Sequence, residues 1–168
     1  RELAGIDIFN APREAGRMIP LLKEMKEHGF KTKVLVNEPC VFGCPFSLKH
    51  QIDLALQRNT KYDLCYSYDY INAFKTNLIL PKWLDYLDEY VYCYKISGRV
   101  ALQDNLLNYL DAYILGKKFT YINDYACYGE NNPIGLLEKN FGIKIREEDI
   151  PDKLIHCECK ECNRTCFI

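Results

Sequence analysis

Cysteines are the residues of this chain whose type and spacing point most directly to chemistry. There are nine, and four lie close together near the end as C-x-C-x2-C-x3-C: Cys157, Cys159, Cys162 and Cys166. Zinc and iron–sulfur clusters both take four sulfur ligands in a tetrahedral arrangement, and short loops let such ligands converge. The tail is therefore predicted to bind zinc or an iron–sulfur cluster. The alternatives are reversible thiol chemistry, favoured by the nearby Lys160 and Arg164, and a flexible tail that binds no metal.

A second pair of cysteines, Cys40 and Cys44, lies in the segment NEPCVFGCP directly after a predicted strand. Loops at the carboxyl ends of parallel strands commonly hold functional groups, and Gly43 permits a tight turn between the two thiols. Both are predicted metal ligands, with buried structural cysteines as the alternative. The tail then either binds a metal alone or shares it with this pair. His50, on the next helix, is either a substrate contact or an ordinary surface residue.

Two cations mark the end of a further predicted strand, in the segment KISGR. In a parallel barrel this end faces the active site, so Lys95 and Arg99 are candidates to hold a carboxylate or phosphate. The alternative is that Arg99 is a solvated residue at the start of a helix.

The elements that would position these residues alternate between strands and helices. Strands are predicted at 5–9, 32–37, 62–66 and 92–96, with an apolar run at 77–80. Helices are predicted at 15–28, where Pro20 is expected to kink or restart the helix, from Ser47, from Pro81, at 102–116 and at 134–140. This alternation indicates a parallel α/β sheet. A closed barrel takes about 250 residues, so the predicted fold is a partial or incomplete TIM-barrel-like sheet, with an open doubly wound sheet as the alternative. Residues 1–122 form the predicted α/β domain and 123–168 a C-terminal extension that carries the Cys-rich metal-binding tail.

Composition narrows the classes of protein and partner. The 168 residues are 48% hydrophobic and 27% charged, which excludes a disordered chain. Their net charge of -1 gives no basic footprint for nucleic acid. No apolar run reaches the roughly 20 residues of a membrane span and no signal segment opens the sequence, so we expect a cytoplasmic protein without a membrane partner. The first residue is Arg1, and we expect that a missing N-terminal part of a longer chain precedes it.

Several segments together resemble the collagenase-like peptidase family, number thirty-two among the peptidase families of unknown mechanism. VNEPCVFGCPFSLKH resembles the family's asparagine, paired-cysteine, CP and histidine segment. NLILPKWLDYLDEYVYCYKISGR resembles its proline-led helix and following strand end, and the Cys-rich close resembles that of shorter bacterial relatives. The chain departs from the family pattern at Pro39, where a glycine is usual, and at Ser97, where a glutamate is usual.

The resemblance implies a TIM-barrel-like fold and a cysteine-ligated [4Fe-4S] cluster. Cys40 and Cys44 match the paired cysteines, and Asn37 and His50 match polar positions that join the substrate-binding candidates. We expect Cys159 and Cys162 to complete the ligand set, with Cys157 and Cys166 as substitutes. Family members carry a peptidase name, whereas better understood relatives hydroxylate tRNA, ribosomal RNA or a quinone precursor without oxygen.

The leading hypothesis is therefore an iron–sulfur protein that modifies RNA or a small-molecule substrate. A non-enzymatic zinc-binding module is the second hypothesis. A peptidase ranks last, because neither an HExxH motif nor an evident Ser-His-Asp arrangement occurs in the sequence. No catalytic residue is assigned.

Overall fold

The fold is built on a parallel sheet. The computed structural model describes residues 8–56, 58, 76–98, 103–127 and 133–152. In this part of the chain the strands β1 (Ile8–Asn10), β2 (Lys31–Leu35) and β3 (Cys93–Lys95) pair in parallel in the order β1-β2-β3. Phe9 lies opposite Thr32, and Val34 lies opposite Tyr94. The predicted α/β class with a parallel sheet is thereby confirmed.

The crossover connection from β1 to β2, which parallel pairing requires, is helical. The predicted helix at 15–28 is two elements: a 3₁₀ helix at Arg13–Arg17 and the α-helix α1 at Ile19–Glu27. Pro20 explains the division, because proline lacks a backbone N–H and is tolerated in a first helical turn, where that N–H has no helical partner. Leu22 of α1 is fully buried and belongs to the same core as Val34 of β2.

The remaining helices agree in place with the predicted ones. They are α2 (Ser47–Ala55), α3 (Leu84–Leu87), α4 (Gln103–Leu115) and α5 (Pro133–Phe141), with 3₁₀ helices at Pro81–Trp83, Ile122–Tyr125 and Glu147–Asp149. The apolar run at 77–80 is extended, and the Ile79 backbone N–H donates to the Val36 carbonyl at 2.8 Å. The predicted strand at 62–66 lies outside the described residues.

One hydrophobic core joins residues from both sides of the predicted domain boundary at 122/123. Val34 and Trp83, which precede the boundary, are buried in the same cluster as Tyr125, Ile134 and Leu137, which follow it. Burial of this shared apolar surface is the main contribution to the stability of both parts. The boundary itself stays a prediction. Within the described ranges, none of the helices is both long and apolar enough to cross a membrane.

Candidate functional site

The polar end of the sheet begins directly after β2, as the sequence predicts. Asn37 is fully buried there, and its side-chain amide bonds the backbone that follows β3. Asn37 Nδ2 donates to the Ser97 carbonyl at 3.0 Å, and the Ser97 N–H donates to Asn37 Oδ1 at 2.7 Å. These two bonds hold together the carboxyl ends of β2 and β3. The proposed substrate contact of Asn37 would have to use the second N–H and the second lone pair of the amide.

The two predicted ligands Cys40 and Cys44 lie on a turn that one backbone bond ties to Asn77 and another closes internally. The Asn77 N–H donates to the Cys40 carbonyl at 2.7 Å, and the Cys44 N–H donates to the Val41 carbonyl at 3.3 Å. Gly43 has a φ of 66°, a left-handed conformation that glycine adopts without a Cβ clash. Both cysteines are half-buried. The fold thus presents two thiols on a fixed turn at the carboxyl edge of the sheet.

A third cysteine, Cys127, lies next to Asn37, the residue that precedes this turn. Its backbone N–H donates to the Asn37 carbonyl at 2.9 Å, and the residue is fully buried. Burial, followed by the charges of Glu38 and Cys40, raises the pKa of the Cys127 thiol well above its ordinary value. The thiol is therefore protonated at neutral pH. Sequence reasoning left Cys127 unassigned, because nothing local signals that it folds back onto the end of β2.

A group of charged side chains borders the same turn. Arg13 Nη1 lies 4.0 Å from Glu38 Oε1, and the Glu38 side chain is largely buried. Asp53, also buried, accepts from Lys49 Nζ at 2.5 Å. Sequence reasoning missed Arg13, Glu38 and Asp53, because lone charged residues in a sequence are usually solvated and only the fold brings these three toward one turn.

His50 on α2 is half-buried beside this group. Burial and then the positive charge of Arg13 lower the pKa of its imidazole, while Glu38 and Asp53 act in the opposite direction. Lowering from an ordinary value of 6.5 keeps His50 neutral at neutral pH. A neutral imidazole accepts a proton or a hydrogen bond, and a neighbouring guanidinium binds carboxylate or phosphate.

Lys95 is the last residue of β3, and its side chain is exposed. Its register partner is Leu35 at the end of β2, and its carbonyl accepts from the Val36 N–H at 3.1 Å. Lys95 is thus at the predicted edge of the sheet. The other predicted site residues lie outside the described ranges: Arg99, Cys157, Cys159, Cys162 and Cys166.

The described residues supply part of a metal site by their chemistry. Cys40 and Cys44 offer soft sulfur donors, which suit zinc and iron–sulfur clusters. Among the side chains in the described ranges, no three of the His, Cys, Asp and Glu type are grouped so that they could hold a metal ion. The pair therefore fits such a group only together with further cysteines, which the predicted ligand set takes from the tail.

Comparison of the chain with known proteins found no match. No protein-family model matches the chain, and neither a curated protein nor a solved structure matches it.

Proposed function

We propose that this chain is an iron–sulfur protein whose cluster is ligated by Cys40 and Cys44 together with cysteines of the tail. The tail ligands are Cys159 and Cys162, with Cys157 and Cys166 as substitutes. The observation that supports this proposal is the anchored turn after β2. It holds two half-buried thiols at the carboxyl edge of a parallel sheet, where α/β proteins place their functional groups.

Anchoring matters because metal ligands must keep a fixed geometry. The turn is tied to residue 77 through the Cys40 carbonyl, and to α2 through the Ser47 N–H, which donates to the Cys44 carbonyl at 3.1 Å. The backbone at Cys40 and at Cys44 therefore does not have to become ordered when the metal binds. Preorganisation of this kind lowers the entropy that binding consumes.

The activity that we propose is an oxygen-independent modification of RNA or of a small-molecule substrate, within a partial TIM-barrel-like fold. The cluster would supply electron transfer. The residues of the chain would bind and orient the substrate: Lys95 and Arg99 through a carboxylate or phosphate, and neutral His50 as a proton acceptor. The resemblance to the collagenase-like peptidase family supports this class of reaction, and the position of Lys95 at the strand end supports its role.

The site is tested by comparing the metal content of two cysteine variants. The double variant Cys40→Ser/Cys44→Ser removes both sulfurs of the turn while changing little volume. Cys93→Ser is the matched control, since Cys93 is another half-buried cysteine but lies at the beginning of β3. After anaerobic purification, we expect the double variant to lose most of its iron and sulfide and the control to keep both.

Two other outcomes would overturn parts of the proposal. Unchanged metal content in the double variant would exclude the turn as a ligand. Zinc without sulfide in the unaltered chain would replace the enzyme by the alternative, a zinc-binding module that stabilises the fold or docks a partner.

A further inference from the structure

Asn77 is a buried amide that lacks hydrogen-bond partners. Asn77 is only 2% exposed, and neither Nδ2 nor Oδ1 of its side chain has a hydrogen-bond partner in the described part of the chain. Most buried polar side-chain atoms in proteins are paired, because leaving water without a new partner is unfavourable. An amide with both ends unpaired therefore requires an explanation.

The register of the chain places this amide next to Cys40. Val41 and Thr76 form an antiparallel bridge, and the Asn77 N–H donates to the Cys40 carbonyl at 2.7 Å. Cys40 and Asn77 are thus the next opposite pair of the same antiparallel register. Side chains of opposite residues lie on one face, with Cβ atoms about 4.5–5.5 Å apart. At that separation a rotation of the Asn77 side chain brings its N–H to the Cys40 sulfur, a contact that the structure itself does not show, since Nδ2 has no partner among the described residues.

We propose that Asn77 is a positioning residue whose Nδ2 donates a hydrogen bond to the metal-bound sulfur of Cys40. This inference rests on the proposed function, since it assumes that Cys40 is a ligand. A thiolate that binds a metal keeps negative charge on sulfur, and an N–H donor stabilises that charge. Partners of this kind orient ligands and typically change metal affinity by about 10–100-fold when they are removed.

Co²⁺ is the probe for this bond, because cobalt bound to thiolates has charge-transfer absorption that reports on the sulfur. The full-length chain is stripped of metal, kept reduced and titrated with Co²⁺. Asn77→Leu removes the amide at similar volume. Thr32→Val is the matched control: the Thr32 hydroxyl is also buried and unpartnered in the described part of the chain, but it lies near the start of β2.

For Asn77→Leu we expect Co²⁺ affinity to fall by about tenfold or more. The charge-transfer band should shift to longer wavelength, because a sulfur without its hydrogen bond gives up electrons more readily. The metal-free variant should melt no lower than the unaltered chain, since the substitution removes two unpartnered polar atoms. The control should keep both the affinity and the band. If Asn77→Leu fails to fold, Asn77→Ala gives the same test with a smaller side chain.

Two results separate the failure of this inference from the failure of the proposed function. Unchanged affinity and an unchanged band in the Asn77 variant would overturn the role of Asn77 and leave the metal site standing; the amide would then be paired with trapped water or left unpaired. No cobalt–thiolate absorption in the unaltered chain, together with no iron and sulfide after anaerobic purification, would overturn the metal site, and the role of Asn77 with it. If the unaltered chain holds iron and sulfide but takes up no cobalt, the same comparison is made on its iron content and on its sulfur-to-iron charge-transfer band.

Discussion

Asn37 and Ser97 are joined by a reciprocal pair of hydrogen bonds across 60 residues of sequence. The amide of Asn37 supplies both the donor and the acceptor, and the backbone of Ser97 supplies the complementary groups. Because Asn37 also accepts from the Cys127 N–H through its own carbonyl, three segments of the chain meet at this residue. It is the structural centre of the candidate site.

Replacement of Asn37 by alanine should destabilise the fold. The Ser97 N–H and carbonyl would lose their partners, and a buried group left unpaired destabilises by about 1–3 kcal/mol. Urea unfolding followed by circular dichroism measures the change. Asn10→Ala is the control: Asn10 is exposed at the end of β1, and we expect a change within about 0.5 kcal/mol. Equal changes in the free energy of unfolding of the two variants would show that the Asn37–Ser97 bonds do not stabilise the fold.

Gly43→Ala should both strain the turn and weaken metal binding. An L-residue at a φ of 66° loses about 1–2 kcal/mol to the contact between Cβ and the following carbonyl oxygen. Gly116, which follows α4 with a φ of 69°, gives a matched control because a Cβ there also meets nothing within 4 Å. Both variants should unfold at lower urea concentration, and only Gly43→Ala should lose metal. Equal metal content in the two variants would separate the turn from the site.

The lowered pKa of His50 predicts an acid sensitivity of the fold. A histidine with a folded pKa below its unfolded value of 6.5 binds fewer protons in the native state than in the unfolded state around and below that pH. Stability should therefore fall as the pH drops from 7 through 6.5 toward 5.5. His50→Gln should flatten this dependence, and Arg13→Gln should reduce it, because Arg13 is the second cause of the shift.

Melting temperatures at several pH values between 5.5 and 7.5 check this prediction. Glu38 and Asp53 also face the imidazole and hold its pKa up, so removing either negative charge should steepen the dependence. A fall of the same size in the unaltered chain and in His50→Gln would assign the acid sensitivity to other groups.

Tyr125→Phe should destabilise the whole fold, because the Tyr125 hydroxyl links the segments around Phe119 and Glu147. The Phe119 N–H donates to the Tyr125 hydroxyl at 2.7 Å, and the hydroxyl donates to Glu147 Oε2 at 2.5 Å. Loss of the hydroxyl should reduce the free energy of unfolding by about 1–3 kcal/mol. Tyr121→Phe is the control, since it removes the hydroxyl of another half-buried tyrosine but keeps the ring that faces Lys144 Nζ at 5.1 Å.

Unfolding of the Tyr125 variant should remain a single transition when it is followed by far-UV and by near-UV circular dichroism. The shared core on both sides of residue 122 is the reason. Two separate transitions, with the variant moving only one of them, would instead support independent domains at 1–122 and 123–168.

Local chemistry explains which elements could be predicted from the sequence. Periodic apolar residues and the terminating Gly116 define α4. Pro81 marks the beginning of a helical segment, because the first turn of a helix does not need the backbone N–H that proline lacks. The strand that ends at Lys95 was likewise predictable, since the segment 92–96 was predicted to be a strand and β3 lies within it. The break at Pro20 in the helix predicted from Ala15 agrees with the structure, whereas periodicity did not indicate that the part before the break, Arg13–Arg17, is a 3₁₀ helix.

The members of the candidate site that were predictable are those that a single segment of sequence marks, such as Asn37 after one predicted strand and Lys95 at the end of another. Cys40 and Cys44 were identified from their spacing. The approach of Cys127 to Asn37, the pairing of Arg13 with Glu38 and the buried amide of Asn77 depend on contacts between distant segments. Such contacts are fixed by core packing, which no short motif encodes. The use of the Asn37 amide by Ser97 was hidden for the same reason.

The measurement that tests the central claim most directly is iron, zinc and acid-labile sulfide analysis of the anaerobically purified chain, together with its visible absorption spectrum. We expect a brown protein with near-equal iron and sulfide, both lost on replacement of Cys40 and Cys44 by serine. A colourless protein without iron and sulfide would contradict the account.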